Sequence, residues 1–126
     1  MKLIVGAPFQ GKRAFLETLL DSDRARIEDG NRCDLSDLET AQAVERFQLL
    51  VRRMVEEQIP VTETIDRILY QNPNLIVVMD TVVCTGEESA RELCWQRAAG
   101  QAGIYLASLA EQVYHVVCGI PTKIRG

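Results

Sequence analysis

The chain has 126 residues, 47% of them apolar and 25% charged, and a formal net charge of −4. Length and composition describe one globular domain with room for a core, and the acidic balance lacks the basic footprint of a nucleic-acid binder. No apolar run approaches the ~20 residues of a membrane-spanning helix. The N-terminal run is also too short for a signal-peptide core, so a soluble, cytoplasmic protein with no nucleic-acid or membrane partner is expected.

Residues 2–5 are apolar and read as a strand, and residues 12–21 read as a helix. Between them runs Gly6-Ala7-Pro8-Phe9-Gln10-Gly11-Lys12, the GxxxxGK core of a phosphate-binding P-loop. Strand, glycine-bracketed loop and helix start stand in the order that aims backbone N–H groups at a phosphate. Gly6 and Gly11 permit positive φ and close approach of the backbone to oxygen. Lys12 supplies the point charge for the β- and γ-phosphates, while Ala7, Pro8, Phe9 and Gln10 occupy the variable positions. The plainer alternative is a glycine-rich turn with a surface lysine. Arg13 stands where a Ser or Thr hydroxyl normally meets Mg²⁺. Either the metal is held elsewhere, or Arg13 replaces part of its charge, or turnover has been lost. Arg13 can also point into solvent from the first helical turn.

Residues 21–34 are polar and irregular, with a short strand over 25–28 and a turn at Gly30-Asn31. Arg24, Arg26 and Arg32 lie here. They are either a clamp for a phosphorylated substrate or part of a solvated loop. Ser36 and Glu39 have capping-box spacing and predict a long helix to about residue 58, with Leu38, Ala41, Val44, Phe47, Val51, Met54 and Val55 inward. Pro60 ends it. A shorter helix over 62–71 buries Ile65, Ile68 and Leu69 and stops at Asn72-Pro73.

Leu75 to Met79 is a β-branched run that reads as a strand buried on both faces. Asp80 follows at its carboxyl end, where parallel sheets bind ligands. A carboxylate there either holds Mg²⁺ in the manner of a Walker-B acid or caps a turn. After a loop, residues 87–112 read as mostly helix, with Glu87 and Glu88 suited to its N-terminus. Gly100 and Gly103 interrupt that helix, and close contact with the sheet is the expected reason. The last strand runs over 113–118, ended by Gly119-Ile120-Pro121.

The fold expected is α/β: a small parallel sheet of three or four strands, with flanking helices, in a single P-loop NTPase-like domain. The four cysteines (Cys33, Cys84, Cys94 and Cys118) have no metal-site or disulfide spacing, and Cys94 and Cys118 read as small core residues. The single histidine, His115, lies within a strand and reads as a face residue rather than a catalyst.

The stretches Trp95-Gln96-Arg97-Ala98-Ala99-Gly100-Gln101-Ala102-Gly103, Leu109 to Tyr114 and Val116-Val117-Cys118-Gly119-Ile120-Pro121 resemble the adenosylcobinamide kinase / adenosylcobinamide-phosphate guanylyltransferase family. The likeness extends over residues 75–121 and again over 2–20, and is absent through 21–74. It implies a P-loop α/β fold, nucleotide binding and a place in cobalamin nucleotide-loop assembly. Gly6, Gly11 and Lys12 fit the family's phosphate loop. Arg13 stands where the family has Ser, Asp80-Thr81 where it has Asn-Glu, Gln96-Arg97 where it has Arg-Asp, and Gly103 where it has Asn. The family carries guanylyl on an early histidine, and no histidine precedes His115, so the guanylyltransferase step is not expected.

Two readings follow. In the first, the chain moves the γ-phosphoryl of ATP or GTP to a hydroxyl, which the resemblance implies is a corrinoid's, with Lys12 stabilising charge and Asp80 organising metal or water. In the second, it is a non-catalytic nucleotide or phosphate sensor. Self-association into a homo-oligomer is expected on the family's pattern and on the short sheet's open edges.

Overall fold

β1 (Lys2–Gly6) is the axis of a six-stranded sheet. The computed structural model describes residues 1–20, 25–81 and 86–126. After β1 come α1 (Lys12–Leu19), β2 (Ile27–Asp29), a 3-10 helix (Leu35–Glu39), β3 (Ala43–Glu45), α2 (Phe47–Glu56), α3 (Val61–Gln71), β4 (Ile76–Asp80), α4 (Ala90–Leu109), β5 (Gln112–Val117) and β6 (Ile120–Arg125). The strand order is β2-β3-β4-β1-β5-β6. All neighbours are parallel except β5 and β6, which form an antiparallel hairpin.

Successive side chains of a strand point to opposite faces, and both faces of the central strands β1 and β4 are covered. Leu3, Val77, Met79 and Val113 pack with α2, α3 and α4. Ile4, Ile76, Val78 and Val116 pack with Leu16 of α1. That is why β4 is unbroken β-branched sequence: neither face can be polar. Burial of Leu16, fully enclosed, holds α1 to the sheet with about 1.5–3 kcal/mol.

The architecture is α/β as expected, but among the described residues the sheet has six strands rather than three or four. The long helix expected from Ser36 to about residue 58 is three elements instead. The capping box is present but belongs to Asp34 and Asp37 and starts the 3-10 helix. The chain then pairs with β4 as β3 and re-enters helix only at Phe47. The expected inward residues are buried all the same, Val44 from a strand and Phe47 from a helix, except Val55, which is only partly buried. The strand expected over 25–28 is β2, at Ile27–Asp29, and α4 is shorter at both ends than the helix expected over 87–112.

Gly119 does not end the sheet. Cys118 (φ 51°) and Gly119 (φ 77°) form a two-residue turn, and positive φ at both positions is the type I′ geometry that closes a hairpin. Pro121 lies in β6, an edge strand where its missing N–H costs no ladder bond. Cys118 and Cys94 are exposed rather than core, whereas Cys33 is buried.

Candidate functional site

The carboxyl ends of β1 and β4 lie side by side, with Gly6 paired to Asp80. From Gly6 the chain turns into α1, and two glycines make the turn possible. A Cβ on Gly6 would sit 2.6 Å from the Val116 carbonyl oxygen. Gly11 is the N-cap of α1 in the left-handed region, φ 96°, which glycine adopts without steric cost. The first N–H groups of a helix have no intrahelical partner, so the start of α1 presents donors on this edge of the sheet.

Lys12 is the first residue of α1 and is only 7% exposed. Its ammonium donates to the Ala7 carbonyl oxygen at 2.6 Å and lies 2.8 Å from Asp80 Oδ1. A buried ammonium is costly unless paired and hydrogen-bonded, and both conditions hold. Asp80 is fixed from its other side by Gln48, at the start of α2. The Gln48 Oε1 accepts from the Asp80 N–H at 2.9 Å, and Gln48 Nε2 donates to Asp80 Oδ2 at 3.2 Å. Trp95 of α4 donates its indole N–H to the Gln48 carbonyl oxygen at 2.9 Å, and Arg52 stacks over the same indole. The order Lys12, Asp80, Gln48, Trp95 thus joins α1, β4, α2 and α4 at one edge.

The other loop residues separate into two groups. Ala7, Pro8 and Phe9 are exposed, Phe9 with φ 62°. Gln10 is anchored to the hairpin: its side-chain oxygen accepts from the Cys118 N–H at 2.8 Å, and its carbonyl oxygen accepts from the Gly119 N–H at 2.7 Å. Arg13 turns away from the loop and donates to Glu45 at 2.7 Å and to Glu17 at 3.2 Å.

Arg26 binds Glu28 and the Asp37 carbonyl oxygen, well removed from Lys12 in the contacts it makes. Arg32 is exposed, and Arg24 lies outside the described residues. The N-terminus of α4 is capped by Ser89, whose hydroxyl accepts from the Glu92 N–H, while Glu88 accepts from the Gly86 N–H. His115 is exposed on β5. Among the described residues no three His, Cys, Asp or Glu side chains gather as a metal-holding group, and no helix is long and apolar enough to cross a membrane.

Sequence reasoning missed Gln48 and Trp95. Gln48 is a polar residue only 5% exposed, directly beside Phe47 in α2, and nothing in the sequence marks it out. The sequence matches no protein-family model and no curated protein.

Proposed function

We propose that residues 6–12 form a P-loop and that the protein binds ATP or GTP there, in a P-loop NTPase-like domain. The observation that carries this reading is the Lys12 ammonium, buried at the start of α1 between the Ala7 carbonyl oxygen and Asp80. A triphosphate oxygen replacing one of those partners gains a desolvated charge and the helix N-terminus together. Asp80 would hold a magnesium ion through water, since Mg²⁺ is commonly bound by one or two carboxylates plus substrate phosphates. On the resemblance to the cobinamide kinase family, the reaction is transfer of the γ-phosphoryl group to a hydroxyl, with a corrinoid as acceptor. Such transfer depends on positioning and charge stabilisation more than on reactive side chains.

Titration calorimetry with ATP and GTP, with and without Mg²⁺, tests the reading. Binding is expected, and Lys12→Ala is expected to weaken it at least tenfold, about 1.4 kcal/mol. No heat with either nucleotide refutes it.

A second reading, a nucleotide sensor without turnover, is favoured by Arg13. No hydroxyl stands at that position, and its guanidinium is committed to Glu17 and Glu45. Nucleotide binding without phosphorylation of cobinamide selects the sensor. Self-association is proposed through the outer edge of β6, whose residues are all exposed. Sedimentation as a lone monomer refutes that part.

A further inference from the structure

The charge of Lys12 is already answered from within the chain. Its ammonium donates to the Ala7 carbonyl oxygen at 2.6 Å and lies 2.8 Å from Asp80 Oδ1. The lysine stem is confined: it runs past Gly6, where a Cβ would stand 3.5 Å from Lys12 Cδ. The two side chains differ in access, with Lys12 8% exposed and Asp80 25%. An anion therefore comes to the ammonium on the side where Asp80 stands.

The two partners of the ammonium are not equivalent toward such an anion. The Ala7 carbonyl is a neutral dipole. The Asp80 carboxylate carries a full charge, which cancels that of Lys12 and opposes a second negative group at contact range. Gln48 keeps the carboxylate in place through its Nε2 bond to Oδ2 and the bond its Oε1 accepts from the Asp80 N–H. Both of those are hydrogen bonds to an uncharged amide. A phosphate oxygen that meets the buried ammonium makes a charge-assisted bond in exchange.

We propose that Asp80 is an internal competitor at Lys12, and that a phosphate enters the loop by displacing its carboxylate from the ammonium. The proposal rests on the P-loop reading and adds a sign to it. Removing the carboxylate strengthens metal-free phosphate binding, whereas removing a residue that only shapes the loop weakens it.

Calorimetry on the whole chain with ATP and with inorganic pyrophosphate, both in EDTA, tests this apart from any part Asp80 takes in holding a metal. Asp80→Asn keeps an acceptor for Gln48 and removes the charge at Lys12. It is expected to bind both compounds at least tenfold more tightly than the wild type. Equal or weaker binding overturns the proposal. Breaking a buried ion pair destabilises a fold, so thermal midpoints are read in the same buffers. Pyrophosphate is expected to raise the variant's midpoint more than the wild type's, and a smaller rise overturns the proposal. Should Asp80→Asn not fold, Gln48→Leu loosens the carboxylate and leaves the pair. It is expected to gain pyrophosphate affinity by a smaller factor, and a loss overturns the proposal. Wild-type binding of ATP with Mg²⁺ beside equal metal-free affinities overturns the competitor and leaves the P-loop reading standing. Tighter pyrophosphate binding by the variant, with ATP bound by neither protein, supports the competitor and refutes the nucleotide reading. No binding of either compound by any of these proteins overturns both.

Discussion

Arg13 shows how one side chain can be read from its partners. It is about half exposed and bridges Glu17 on its own helix to Glu45 at the end of β3. Exposed ion pairs contribute little, ~0–1 kcal/mol, so Arg13→Ser is expected to shift the urea midpoint only slightly. The same substitution places a hydroxyl where a phosphate loop normally meets Mg²⁺. Calorimetry is expected to show nucleotide affinity becoming more dependent on Mg²⁺, and an unchanged dependence would show that Arg13 does not govern the metal. Lys12 and Asp80 were legible because glycine spacing and strand ends have fixed meanings. Gln48 was not, because a glutamine in a helix carries no signal until a strand end is known to lie against it.

Among the elements, β1, β4 and β5 were legible as apolar runs. β3 was hidden because Leu38, Ala41, Val44 and Phe47 recur at helical spacing. A three-residue strand followed at once by a helix buries the same positions as one continuous helix. β6 was hidden because its residues are all exposed and Pro121 reads as a terminator. Its turn also lacks the usual signature: Cys118 holds φ 51°, a conformation that Asn and Gly take readily and most other side chains do not. Cys118→Asn creates the Asn-Gly pair that type I′ turns prefer. It is expected to raise stability by about 0.5–1 kcal/mol, read as a higher urea midpoint. A lower midpoint would show that the Cys118 side chain contributes something the turn geometry does not.

At the scale of the whole molecule, the β2–β3 edge is tied by Arg46, which grips both Asp29 carboxylate oxygens. Burial alone would raise the Asp29 carboxyl, but hydrogen bonds from Arg46 and from the Asn31 N–H outweigh it and hold it below its usual 3.8. A carboxyl lowered by folding stabilises the fold above its ordinary value, and that contribution is lost as pH falls through the folded value. Urea midpoints measured from about pH 5 to pH 2 are expected to fall more steeply for the wild type than for Asp29→Asn. Parallel curves would remove Asp29 from the acid response.

The anchoring of Gln10 by Cys118 and Gly119 has a temporal consequence. The Gln10 side chain meets a residue 108 positions further on, so a ribosome must release the hairpin before the first loop acquires its final shape. Nascent chains stalled ahead of the hairpin would carry every residue of the GxxxxGK segment and still lack the clasp that sets it. On the proposed reading of this loop, capture of a nucleotide during synthesis is therefore expected to switch on abruptly, when the hairpin reaches Gln10.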